Sequence, residues 1–253
     1  MTVNEIYRRL NEKIPPTLSC AWDNDGLMCC PNGSRRVTRV LVALDVTEAV
    51  VRYAIEGGYE LIVSHHPMIF KGLKALNEGN FIAAKTMDLI RSGVSVMSFH
   101  TRLDAVAGGV NDVLAALLGL RDVAPFGEDG IGRIGILPEA MEQGAFARRV
   151  KDVLNAPVVR LADAGLSARR VAVLGGGGGD DVDAARAAGA DTYVTGELKY
   201  HTMTDAPEER MNLIEAGHFH TENPVCETLR RWLLEMDPTL TVDLFDSYAI
   251  YTV

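Results

Sequence analysis

The chain has 253 residues, 47% of them hydrophobic and 23% charged, which suits one large or two ordinary globular domains and excludes disorder, collagen-like repeats and disulfide scaffolds. A net charge of −9, from 34 acidic against 25 basic residues, repels phosphate backbones and anionic lipid and argues against nucleic acid as a general partner. Cys20, Cys29, Cys30 and Cys226 lack C-x-x-C spacing, Thr2 to Lys13 lacks a signal-peptide core, and no apolar run reaches spanning length, so a reduced cytoplasmic protein without membrane association is expected.

A recurring unit organises the chain: an amphipathic helical stretch, a glycine, then a short apolar and β-branched run. Copies run from Glu48 to Ile55 through Gly57-Gly58 into Tyr59–Ser64, from Phe81 to Ile90 through Gly93 into Val94–Phe99, and from Asp180 to Ala188 through Gly189 into Ala190–Thr195. This alternation predicts an α/β fold with parallel strands, each glycine supplying the left-handed residue that ends a helix. Seven positions after the glycine stand His65, His100 and Gly196, so polar residues gather where strands end, the edge at which open α/β sheets bind ligands. A single histidine there can equally cap the sheet.

The glycine-rich stretch from Phe126 to Gly135 marks a domain boundary, giving a first α/β domain over 1–126 and a second over 127–239. Gly144–Leu154 reads as helix, Val171–Leu174 as strand and Val225–Leu234 as helix. The end, Val242 to Val253, reads as strand, and residues 240–253 are expected to return to the first domain.

Three segments carry metal-ligand residue types. In Ser64-His65-His66-Pro67, two adjacent imidazoles on a straight strand point to opposite faces and can each serve one of two neighbouring ions. After His100-Thr101-Arg102-Leu103-Asp104, a helix from Asn111 leaves Asp104 outside it as a free carboxylate, while Asp112 favours the helix N-terminus. In Gly217-His218-Phe219-His220-Thr221-Glu222-Asn223-Pro224, His218 and Glu222 lie four residues apart, and Pro224 suggests a helix starting nearby. Glu222 could instead only complement a helix dipole. Together, His65, His66, Asp104, His218 and Glu222 form a nitrogen and oxygen set suited to zinc, iron, manganese, cobalt or nickel. Five ligands shared between two ions, with a bridging carboxylate, leave positions open for water or substrate. Gly175–Gly179 fits no G-x-G-x-x-G register, since Asp180 takes its last position, and reads as a turn that lets another segment approach.

Trp22-Asp23-Asn24-Asp25-Gly26-Leu27, the His65, His100 and His218 segments, Gly108-Gly109-Val110-Asn111-Asp112 and Gly196-Glu197-Leu198-Lys199-Tyr200-His201 resemble, in order, the signature blocks of the Nif-three-like dinuclear metal centre family, often catalogued as type 2 GTP cyclohydrolase I homologues. The resemblance implies two interlinked α/β domains with the metal site in the cleft between them, a homohexamer, and the same five ligands, with Glu222 as the bridge. The expected function is a metal-dependent hydrolase of a small nucleotide-like substrate, with His100, Glu197 and His201 orienting ligands or moving protons. The alternative is a non-catalytic metal-binding or regulatory ring that acts through protein partners. Glu197 and Lys199 could instead form a surface ion pair. Arg102 stands where the family usually has asparagine; near the metals it could bind an anionic substrate, but a surface or salt-bridge role is expected. His220 is an additional imidazole that could serve as ligand, acid-base group or surface residue. Met68, Ile69 and Phe70 are candidates for either core or subunit contact.

Overall fold

Continuous apolar runs such as Val40-Leu41-Val42-Ala43 and Leu61-Ile62-Val63 suit strands buried on both faces of a largely parallel sheet, and they take that place in a computed structural model that describes residues 1–251. In chain order the elements are α1 (Val3–Lys13), β1 (Gly26–Cys29), β2 (Arg39–Ala43), α2 (Glu48–Glu56), β3 (Leu61–Ser64), α3 (Phe81–Ser92), β4 (Ser95–Ser98), α4 (Thr101–Ala105), α5 (Val110–Leu117), β5 (Arg121–Phe126), β6 (Gly132–Met141), α6 (Gln143–Val153), β7 (Arg160–Ala162), β8 (Ala168–Leu174), α7 (Val182–Ala187), β9 (Thr192–Thr195), α8 (Tyr200–Asp205), β10 (Asn212–Glu215), α9 (His218–Glu222), α10 (Val225–Met236) and β11 (Thr241–Leu244).

Two compact units result: Met1–Leu103 with Cys226–Ala249, and Asp104–Val225 with Ile250 and Tyr251. The first holds a five-stranded sheet in the order β1-β4-β3-β2-β11, parallel except for β1. β11 pairs with β2, Thr241 beside Arg39 and Leu244 beside Val42. Only Thr241–Leu244 of the expected terminal strand is strand among the described residues, and its last two positions, 252 and 253, lie outside them. The core on this sheet includes Leu41, Val50, Ile62, Leu89 and Val96, and complete burial of such a side chain contributes about 1.5–3 kcal/mol.

The second unit holds six strands in the order β5-β6-β8-β9-β10-β7, of which only β8, β9 and β10 run parallel to one another. The expectation of parallel strands therefore holds for the helix-glycine-strand repeats, whereas β1, β5, β6 and β7 pair antiparallel. The stretch Phe126–Gly135 is a hairpin between β5 and β6 inside this unit, and the division between units falls at Leu103–Asp104 instead. Glycine there supplies the tight reversal, with Gly127 and Gly130 at positive φ. Gly58, Gly93 and Gly189 are left-handed at φ +68°, +70° and +84° and end the helices of the three repeats as their placement required.

Candidate metal centre

In the first unit, three adjacent parallel strands β2, β3 and β4 end side by side, and their carboxyl ends deliver Asp45, His65-His66 and His100. His65 and His66 lie beyond the last residue of β3, so they escape the strand alternation: their rings sit 4.9 Å apart at 40°, gathered together where opposite faces were expected. The turn is fixed by His66 N–H donating to the Leu44 carbonyl at 2.9 Å and by the Ser64 hydroxyl donating to the His66 carbonyl at 2.9 Å. The His100 ring joins them, 5.3 Å from His65 and 5.8 Å from His66. One ligand atom from each of the three lies within 4.8 Å of the others, close enough to share an ion.

Each of these imidazoles has its Nδ1 against an oxygen that can only accept. His65 Nδ1 donates to the Phe99 carbonyl at 2.9 Å, His66 Nδ1 to Asp45 Oδ1 at 2.7 Å, and His100 Nδ1 to Asp23 Oδ1 at 2.8 Å. In the neutral ring the proton is thereby fixed on Nδ1 and the lone pair on Nε2, the arrangement that metal-ligating histidines use. Burial pushes Asp23 upward, but hydrogen bonds from His100 and Thr101 outweigh it and hold the carboxyl down at about 2. Asp23 also accepts from the Thr101 hydroxyl at 2.7 Å, and Asp45 from the Ser247 hydroxyl at 3.2 Å. Sequence spacing did not single out Asp23 or Asp45 for this role.

The second unit repeats the pattern: β8, β9 and β10 are adjacent and parallel, and Gly175-Gly176, Gly196-Glu197 and Gly217-His218 follow their carboxyl ends. His218 and Glu222 share one short helix, α9, that precedes Pro224 rather than starting at it. Their spacing of four residues puts both on one face, with His218 Nε2 3.1 Å from Glu222 Oε2. His218 Nδ1 donates to Glu197 Oε1 at 3.0 Å, so Glu197 orients the ring. Asp104 lies outside the helix that opens near Asn111, as expected, but in a short helix of its own, α4, and is buried. Its carbonyl accepts from Asn111 Nδ2 at 3.3 Å, and one of its carboxylate oxygens lies within 4.8 Å of one from Glu222.

The glycine run serves close packing against α9. Gly176 N–H donates to Thr221 Oγ1 at 3.0 Å, and Gly175 N–H to Asn111 Oδ1 at 2.8 Å. A Cβ on Gly176 would overlap the Glu222 carboxylate, and one on Gly196 would stand 2.7 Å from His218 Cα.

These residues fit divalent ions. Two donors each ~2.0–2.1 Å from one tetrahedral ion lie about 3.3 Å apart, close to the His218–Glu222 separation. Two carboxylates as near as Asp104 and Glu222 repel one another unless a cation offsets their charge. The donors are imidazole and carboxylate with no thiolate, the set expected for borderline and hard transition metals.

Other candidates take different places. His201 is exposed in the first turn of α8 and belongs to none of the His and acid groups close enough to share an ion among the described residues. Lys199 pairs with Asp180 at 2.9 Å rather than with Glu197. Arg102 is fully buried, a correction to the surface alternative, and forms the salt bridge that was the other: its Nε donates to Asp25 Oδ2 at 2.9 Å, and Nη1 to Asn11 Oδ1 at 2.7 Å and to the Ile14 carbonyl at 3.0 Å. With its donors so engaged it is a structural cation. His220 packs its ring 5.6 Å from Phe219 on α9. Met68 is in the core, whereas Phe70 is 44% exposed.

The sequence profile described as Duf34/NIF3 (NGG1p interacting factor 3) matches residues 1–248. The chain belongs to the DUF34/NIF3 family. Family relatives include a GTP cyclohydrolase 1 type 2 homolog of Clostridium perfringens, 34% identical over 232 residues that cover 89% of this chain and 88% of the relative. Another of that name, from a Nostoc species, is 37% identical over 217 residues, 83% of this chain and 81% of the relative. Among solved structures, Staphylococcus aureus protein SA1388 superposes with a TM-score of 0.90 at 27% identity, covering 100% of this chain and 99% of that one.

Proposed function

We propose that this NIF3-family chain is a metal-dependent hydrolase of a small, nucleotide-like molecule, with two divalent transition-metal ions held by His65, His66, Asp104, His218 and Glu222. The observation that carries the reading is the treatment of the histidines: His65, His66 and His218 each have Nδ1 committed to an oxygen acceptor, which directs Nε2 to a ligand role. Bound ions would supply Lewis acidity, lowering the pKa of water and polarising a substrate oxygen. The chain's own contribution is positional and protonic. Asp45 and Glu197 hold His66 and His218 in place, Glu222 would offset the repulsion between two bound cations, and His100, its Nδ1 held by Asp23, would be the group to accept or return a proton at Nε2. The subunit assembles as a homohexamer in the cytoplasm; the resemblance supports the ring, and the thiols of Cys29 and Cys30 support a reducing compartment. Among the described residues no helix is long and apolar enough to cross a membrane.

Elemental analysis of the loaded protein, followed by a broad panel of hydrolysable small molecules, tests this. Close to two ions per chain are expected, with turnover that chelation removes, metal restores and Glu222→Ala abolishes. At most one ion after full loading overturns the dinuclear reading. Two ions without any metal-dependent turnover favours the second reading, a non-catalytic ring acting through protein partners, to which the family's description as an interacting factor points.

A further inference from the structure

Inside the first unit a cavity of about 720 Å³ opens beside His66, within the ~300–1,000 Å³ range of small-molecule sites. Its wall includes Met68, Phe70 and Phe81, and its charged groups among the described residues are the ammonium of Lys85 and the carboxylates of Asp45, Glu48, Glu78 and Asp88, of which Asp45 is held by His66 and Ser247 and Asp88 by Arg91. That ammonium is already engaged: Nζ donates to the Val46 carbonyl and lies 5.4 Å from the centre of the Phe81 ring. An anion entering the cavity therefore meets an excess of negative charge, whereas N–H donors meet acceptors.

Phe70 supplies the flat surface. Its ring is 44% exposed and touches Trp22 at 6.3 Å and His100 at 6.2 Å, with interplanar angles of 65° and 89°, so neither neighbour stacks parallel on it. Trp22 itself is 64% exposed. An aromatic side chain left this open beside a histidine cluster offers a face to a planar ring.

We infer that this cavity binds a planar, nitrogen-rich ring that carries N–H donors and no phosphate, stacked on Phe70 with its donors on the carboxylate rim and one edge beside His66. The inference deepens the hydrolase reading and rests on it for the fate of the ring, but not for the binding.

The test measures binding of adenosine, guanosine and their triphosphates to the full chain by calorimetry, after chelation and again after metal loading. In the metal-free protein the nucleosides bind, and the triphosphates bind at least 10-fold more weakly. Phe70→Ala weakens nucleoside binding 10-fold or more, and Phe70→Tyr, which keeps the ring, restores it to within about 3-fold. Glu48→Gln with Glu78→Gln narrows the discrimination against triphosphate. Absence of nucleoside binding, triphosphate bound as tightly, or Phe70→Ala with unchanged affinity overturns the inference. So does a fall in assembly mass on Phe70→Ala without nucleoside binding to the parent, which assigns the patch to a second copy of the chain. Nucleoside binding with no metal-dependent turnover anywhere in the substrate panel sinks the hydrolase reading alone; turnover of ring-free substrates without nucleoside binding sinks the cavity inference alone.

Discussion

Gly176 is the position where one methyl group should be felt both in folding and in metal affinity. Its φ is +68°, and a Cβ there would lie 2.9 Å from Glu222 Cδ and 3.0 Å from His218 Nε2. For Gly176→Ala the left-handed backbone costs ~1–2 kcal/mol and the forced repacking ~1–3 kcal/mol, partly offset by ~0.4–1 kcal/mol from a less flexible unfolded chain. A net loss of about 2–3 kcal/mol lowers Tm by roughly 5–10 °C in a chain of this size. Because the methyl group displaces Glu222, metal affinity should drop at least ~10-fold, the equivalent of 1.4 kcal/mol. Gly177→Ala is the matched control: φ is −85° and nothing stands within 4 Å of its Cβ position, so both readouts should stay near the parent. Thermal unfolding and a competitive metal titration measure the pair. Parent-like behaviour of Gly176→Ala, or an equal loss in Gly177→Ala, would refute the packing argument.

Four further outcomes are expected. Asp23 has a folded pKa of about 2, below its ordinary 3.8, so its stabilisation is complete above pH ~4 and disappears as pH falls through 2; Asp23→Asn should cost ~1–2 kcal/mol at pH 7 in urea unfolding, and a penalty that persists at pH 2 contradicts this. Arg102→Ala leaves Asp25 buried without its cation and should cost about 3–5 kcal/mol, whereas a loss under ~1 kcal/mol would show that water replaces the guanidinium. Metal binding should weaken from pH 8 to 5 as imidazoles protonate, and Asp45→Ala should weaken it ~10–100-fold at any pH in that range; constant affinity across pH excludes histidine ligation. Light scattering of the metal-loaded protein should give the mass of six subunits, and a monomer or dimer mass removes the ring while leaving the ligand assignments intact.

Much of the site was legible because two of its rules are local. A left-handed glycine ending a helix fixes where the next strand starts, so His65 and His100 could be placed at strand ends from spacing alone. The four-residue interval between His218 and Glu222 likewise implies one helical face, and the helix announced by Pro224 does start beside it, at Val225, while the pair itself occupies a separate short helix just before it. What escaped depends on distant partners. Asp23 meets His100 across 77 positions and Asp45 meets His66 across 21, and no periodicity links them. Arg102 has the composition of a surface residue, and only the convergence of Asn11, Ile14 and Asp25 lets it be buried. The antiparallel pair β5 and β6 was missed because a glycine-rich hairpin and a linker share the same composition.

The buried arginine gives the N-terminus an unexpected reach. Arg102 joins Asn11 and Ile14, at the end of α1, to Asp25, whose carboxylate also accepts from the His100 backbone N–H at 3.3 Å. A fusion tag or trimmed start that frays the first helix would thus loosen the strand end that carries His100, the imidazole packed against His65 and His66, more than eighty positions downstream. Preparations differing only in their leading residues would then differ in how firmly the histidine cluster is held, and the location of the affinity tag becomes a biochemical variable rather than a convenience.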